Sequence, residues 1–209
     1  MDSLVVCERV VGGRKALLAV VCDGVGSMSD GGVASSSAVR LLSGWFNNLG
    51  HTERVGLRMR DEVLLINTYI MNLASSQGLN TATTLSALLL IEEQYCIVHS
   101  GDSRIYCLSE ARGLMQLTAD DVSDTGRLTS YIGHKSNPVL HYAEGTAPGK
   151  VFLLCSDGLY KRLNTDLLTP HTNFSNRKSM QRTIKVLTNY VIEHGEEDNI
   201  SVAFVKIES

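Results

Sequence analysis

The chain has 209 residues, 44% of them hydrophobic and 20% charged, with a net charge of −3. That composition fits a globular protein with one substantial core, and a single domain over residues 1–209 is expected. The charge gives no electrostatic case for nucleic acid, no run approaches the roughly 18 apolar residues of a membrane helix, and the first residues show no secretory pattern.

In chain order, "SLVVCERVV" and "KALLAVVC" are β-rich runs joined by "GGR", which predicts a hairpin. "GVASSSAVRLLSGWFNNL" and "RVGLRMRDEVLLINTYIMNLASSQ" predict two helices. The second sets Val55, Met59, Val63, Ile66, Ile70 and Leu73 on one face, and Gly50 and Gly78 lie near the helix ends. "TTLSALLLIEEQ", "YCIVHS", "RIYCLS" and "LMQLT" read as short strands of an antiparallel meander. "KVFLLCSD" predicts another strand, followed by a short helix near Leu159. "SNRKSMQRTIKVLTNYVIEHG" predicts a helix capped by Ser175 or Asn176 and ended by Gly195, and "NISVAFVKI" a closing strand. Strands come in runs and helices in separate blocks, so an α+β fold of antiparallel sheets covered by helices is expected rather than alternating βαβ units. Five cysteines (Cys7, Cys22, Cys96, Cys107, Cys155) sit mostly in apolar runs without a C-x-x-C pair, and they read as small core residues of a reducing, cytoplasmic protein.

The informative pattern is acidic. Asp23 ends "LLAVVC", Asp157 follows "KVFLLCS", Asp198 precedes "NISVAFV", and Asp102 lies between "YCIVHSG" and "RIYCL". A strand end is a stiff mount for a short carboxylate, and several carboxylates that converge repel unless a cation sits among them. The glycine-rich loop after Asp23 would equally suit a phosphate or nucleotide, but "DGVGSMSDGG" lacks G-x-G-x-x-G and the Lys-Ser/Thr of a P-loop. Oxygen donors without His or Cys favour Mg²⁺ or Mn²⁺. Each Asp alone also has a plainer reading as a turn former.

"VVCDGVGSMSDGGVASSSAV", "TATTLSALLL", "HSGDSRIYCL", "QLTADDVS", "LTSYIG", "LLCSDGLY" and "EEDNISVAFV" resemble, in order, the motifs of the metal-dependent type 2C serine/threonine protein phosphatases, the PPM family, in a compact bacterial-type form. The resemblance implies a four-layer α-β-β-α sandwich with two mainly antiparallel sheets and two core Mn²⁺ or Mg²⁺ ions at one end. It implies that Asp23 bridges both ions, that Gly24 offers its carbonyl, and that Asp157 and Asp198 complete a shell. Asp102 with Asp157 would hold a third, weaker ion, Asn199 would position Asp198, and Asp2 would act through water. The reaction implied is hydrolysis of phosphoserine or phosphothreonine by a metal-bridging hydroxide, with Asp23, Asp157 and Asp198 acting through it. The implied partners are a phosphoprotein substrate and a serine/threonine kinase or its targets; monomer is the default state.

The sequence departs from the family pattern in several places. Asp2 falls where the last Asp of the family's R-x-x-N-E/Q-D segment would, and that segment's phosphate-holding Arg has no counterpart; Arg9 and Arg14 read as solvated strand and turn charges. Val25 stands where some members carry His, Ser27 and Ala82 where Gly is usual, and Asp121 where His is usual. "DDVSDTGRLTSYIG" is too short for a helical flap, and Asp120, Asp121 and Asp124 read as a solvated acidic loop. His99 reads as a structural strand histidine. The missing Arg motivates an alternative, a catalytically weak pseudophosphatase or regulatory binding domain that keeps the fold.

Overall fold

A computed structural model of the chain describes all residues except 110–112, 148, 150, 169–171, 173 and 208–209. The chain opens with β1 (Asp2–Val11) and β2 (Arg14–Asp23), then α1 (Gly31–Asn47) and α2 (Val55–Gln77). β3 (Leu85–Ile91), β4 (Gln94–Ser100), β5 (Arg104–Ser109), β6 (Gly113–Gln116), β7 (His141–Thr146) and β8 (Val151–Cys155) follow. The short α3 (Asp157–Tyr160), a 3₁₀ turn (Thr165–Leu167), α4 (Arg177–Glu193) and β9 (Val202–Lys206) complete it. The residues of the predicted "KVFLLCSD" strand are described from Val151 onward; Lys150, like residues 208–209 of the expected domain, lies outside the described set.

The β1–β2 hairpin turns through Gly12 and Gly13, both at positive φ (58° and 81°), as a tight two-residue hairpin turn requires. All strand pairs are antiparallel. One sheet runs β1-β2-β3-β4-β7 and the other β6-β5-β8-β9. Alternation along β2 shows how they stack. Leu18, Val20 and Cys22 enter the core under α1 and α2, while Ala19 and Val21 enter the core between the sheets with Ile105, Phe152 and Leu154. A strand covered on both faces needs a continuous apolar run, which "ALLAVVC" is. The outer face of the second sheet, with Leu153 and Cys155, packs on Leu187 and Val191 of α4. The layers are therefore helix, sheet, sheet, helix, as expected.

The helices follow their sequence signals. On α2 the residues Val55, Met59, Val63, Ile66 and Ile70 are buried, Leu73 is half-buried, and Gly78 (φ 65°) provides the left-handed C-cap. Asn176, rather than Ser175, caps α4, in a reciprocal capping box with Ser179.

Three expectations need correction. β3 to β6 are not one meander: β3–β4 belong to the first sheet and β5–β6 to the second. The chain changes layer at Gly101, whose φ of 114° a side chain would resist and whose added Cβ would stand 2.6 Å from Thr84 Cβ. β7 was not anticipated; it is a half-exposed edge strand, HYAEGT, whose mixed composition carries no alternating signal. Arg9 is not a solvated strand charge, since its guanidinium donates to the Phe46 carbonyl (2.8 Å) and the Asn47 carbonyl at the end of α1.

Candidate metal centre

Asp2 and Asp23 are built to meet. Asp2 is the first residue of β1, Asp23 the last of β2, and the antiparallel register pairs them directly. Asp23 is then pinned by the T-T pair, Thr83 and Thr84, that precedes β3. Its N–H donates to Thr84 Oγ1 (2.9 Å), and its carbonyl accepts from Thr84 N (2.8 Å) and Thr83 Oγ1 (2.8 Å). Thr84 Oγ1 also shares a hydrogen bond with Ser103 Oγ (2.8 Å), which ties the Asp23 strand to the turn carrying Asp102.

Gly24 follows in a space no other residue fits: an added Cβ would lie 2.6 Å from the Gly31 carbonyl carbon and 2.8 Å from the Met1 carbonyl oxygen. Its N–H donates to that Met1 oxygen (3.1 Å). The start of α1 is thereby packed onto the loop. Val25 is a core residue whose N–H donates to Ala82 O (3.0 Å).

Asp157 comes from the second sheet, one residue past Ser156 at the end of β8. Gly158 lets the Asp198–Asn199 segment close over it: a Cβ at Gly158 would meet Asn199 O at 2.3 Å and Asp198 Cβ at 3.5 Å. Ser156 Oγ accepts from Ser201 N (3.0 Å) and fixes that strand entry. Asp198 stands at the exposed rim. Asn199 holds it through its backbone N–H, which donates to Asp198 Oδ1 (2.7 Å), and Glu196 Oε1 accepts from Asp198 N (3.1 Å).

The electrostatics show what the arrangement lacks. Both carboxylate oxygens of Asp2 and Oδ1 of Asp157 are buried without a hydrogen-bond partner. Burial, then the neighbouring carboxylates of Asp2 and Asp157, push Asp23 well above the usual carboxylate range. Burial, then Asp157, push Asp102 up to about 6, against the pull of Lys161. Buried like charges with unused lone pairs are costly unless protonated or bound to a cation, and an all-oxygen set suits a hard divalent ion. Among the described residues no group of three or more His, Cys, Asp or Glu side chains is arranged to hold a metal ion; the fit rests on the orphaned oxygens and on the mutual repulsion at Asp23.

The neighbouring acidic loop is structural rather than solvated. Asp120 forms a bidentate pair with Arg104 (Nε–Oδ1 2.9 Å, Nη2–Oδ2 2.6 Å), whose guanidinium also lies 3.5 Å from the centre of the Tyr160 ring. Asp121 Oδ2 accepts from Gly101 N (2.9 Å), Asp121 N donates to Gly101 O (2.7 Å), and Asp121 Oδ1 pairs with His141 Nε2 (2.6 Å). The residue in the position of the family's His thus clamps the turn that presents Asp102. His99 is fully buried between Ser86 Oγ and Ala119 O (both 2.9 Å), and burial lowers its pKa, as befits a structural residue. Among the described residues no helix lies between β6 and β7, where a flap would be.

Lys161 carried no weight in the sequence. Its Nζ lies 2.5 Å from Asp157 Oδ2, and the readable signal was the i,i+4 spacing in "DGLYK". The cysteines are free, as expected; Cys22, Cys96, Cys107 and Cys155 are buried, and burial raises their thiol pKa values.

The sequence profile of the Protein phosphatase 2C family matches residues 5–197, which include Asp23, Asp102 and Asp157. The serine/threonine phosphatase Stp of Listeria welshimeri is 32% identical over 90% of this chain and 84% of that protein. Among solved structures, serine/threonine phosphatase Stp1 from Staphylococcus aureus superposes with a TM-score of 0.85 at 20% identity, covering all of this chain and 89% of that one. The catalytic domain of serine/threonine protein phosphatase PstP in complex with two manganese ions superposes with a TM-score of 0.73 at 24% identity, covering 99% and 97%. Ordered motifs, sandwich and matching profile agree: the chain belongs to the protein phosphatase 2C family.

Proposed function

We propose that the chain hydrolyses phosphoserine and phosphothreonine in proteins, with Asp2, Asp23, Asp157, Asp198 and the Gly24 carbonyl as the protein groups around two divalent ions, Mn²⁺ or Mg²⁺. The observation that carries the site assignment is the set of three buried carboxylate oxygens, two on Asp2 and one on Asp157, with nothing to bond. The activity rests on family membership and on relatives named as serine/threonine phosphatases. When bound, such an ion pair acidifies a water and neutralises charge on phosphoryl oxygens.

The chain's own residues do the positioning. Thr83 and Thr84 lock the backbone on both sides of the Asp23 carboxylate, so its oxygens stay directed at Asp2 and Asp157. The Asn199 N–H orients Asp198 Oδ1, and the Asp121 clamp on Gly101 presents Asp102. Arg104 and Arg9 are spent on Asp120 and on the end of α1, which leaves neither to hold a phosphate. A pseudophosphatase is not favoured, because a binding scaffold has no use for buried carboxylates that repel each other.

The substrate is a phosphoprotein, and the target of a serine/threonine kinase is the natural form of it. No helix among the described residues is long and apolar enough to cross a membrane, and the free buried thiols support a reducing, cytoplasmic setting. We take residues 1–209 as one phosphatase domain acting as a monomer. Hydrolysis of a phosphothreonine peptide should require Mn²⁺ or Mg²⁺, stop in EDTA, and fall more than about a hundredfold in Asp157→Asn. Turnover by that variant near the parent rate at saturating Mn²⁺ would refute the site.

A further inference from the structure

Asp157 has two different oxygens. Oδ1 is buried and unpartnered, whereas Oδ2 carries the ammonium of Lys161 at 2.5 Å. Lys161 is tethered to the same residue twice, because its backbone N–H also donates to the Asp157 carbonyl (3.1 Å). Its charge reaches Asp102 and Asp198 as well as Asp157: burial alone would lower the ammonium pKa, but these three carboxylates outweigh burial and raise it. Asp102 and Asp157 are each nine-tenths buried, and they repel. Arg104, two residues on from Asp102, is committed to Asp120 and the Tyr160 ring.

We infer that Lys161 is a built-in counter-ion that occupies the outer side of the Asp102–Asp157 pair, so that divalent ions bind on the inner side only and the chain takes up two of them, not three. This rests on the metal centre proposed above. The family resemblance implies a third ion shared by Asp102 and Asp157, and Lys161 Nζ is held against the Asp157 carboxylate that such an ion would need. A covalently held ammonium is present at an effective concentration that free cations at low supply do not reach, and it needs no dehydration to arrive. Arg162, the next residue, lies against Glu196 instead (Nε–Oε2 3.9 Å).

Mn²⁺ uptake by the full chain, counted by calorimetry and by electron paramagnetic resonance up to millimolar free metal, tests this. The parent should bind two ions. Lys161→Met keeps the stem and removes the charge; it should bind a third, and Lys161→Met with Asp102→Asn should return to two. In EDTA, Lys161→Met should melt below the parent, because Asp102 and Asp157 then repel without a counter-ion. A parent that already binds three ions, or a Lys161→Met count and affinities equal to the parent's, overturns the role of Lys161 and leaves the metal centre standing. Failure of every chain to take up Mn²⁺ overturns the metal centre, and this inference with it.

Discussion

Gly158→Ala isolates the contact that joins Asp157 to the Asp198 segment. The new methyl would stand 2.3 Å from Asn199 O and 3.1 Å from Asn199 C, and the obstacle is backbone rather than the tip of a flexible side chain. Real contacts of this kind start near 3.0 Å, so the Asn199 carbonyl must retreat by about 0.7–1 Å, taking the Asp198 segment with it. Overpacking of this size costs about 1–3 kcal/mol of stability, and a displacement of about 1 Å at a reacting site costs on the order of a hundredfold in rate. Urea unfolding in EDTA reads the first, and Mn²⁺ titration with phosphothreonine-peptide turnover reads the second. Gly44→Ala supplies the control: it lies in α1 with nothing within 4 Å of an added Cβ, and should stabilise by about 0.5–1 kcal/mol. If Gly158→Ala matched the parent in stability, metal affinity and turnover, the close packing of the two motifs would be wrong.

Asp23→Asn should raise the melting temperature in EDTA while abolishing tight Mn²⁺ uptake, because it removes the charge that Asp2 and Asp157 oppose; a lower melting temperature in EDTA would contradict that repulsion. Burial holds His99 below the usual histidine range, so the unfolded chain takes up a proton first and stability should fall as the pH drops below about 6.5. Chemical denaturation from pH 7.5 down to 5 should show a shallower slope in His99→Gln, and an unchanged slope would mean that His99 does not titrate between the folded and unfolded states.

Much of the candidate site was legible because the strands announce where its carboxylates leave the core. An apolar run that stops on Asp, as at Asp23 and Asp157, says where a carboxylate leaves the core, and the "GGR" turn announces the hairpin, whose register in the structure sets Asp2 beside Asp23. What local patterns hide is commitment to distant partners. Arg9 is a strand residue whose role is set by carbonyls 37 and 38 positions away, and Asp120 and Asp121 look like a wet loop until Arg104 and Gly101 are folded onto them. The change of sheet after β4 was equally invisible, since four short strands in succession read the same whether they share a layer or divide between two. Lys161 escaped notice because an i,i+4 pair is ordinary on a helix surface; its meaning comes from the buried half of Asp157.

The opposing carboxylates stand on different layers, Asp2 and Asp23 on the five-stranded sheet and Asp157 beyond β8 of the other. Along most of their length the sheets are held together by Ala19, Val21, Ile105 and Leu154, an adhesion without direction. At the acidic end the joint works like a clasp. In the metal centre proposed above, each ion would draw carboxylates of both layers toward it, so that binding would oppose the like charge that pushes them apart. On that proposal, metal binding and the alignment of the two sheets at this end would be thermodynamically linked, because the carboxylates that share the ions belong to different layers.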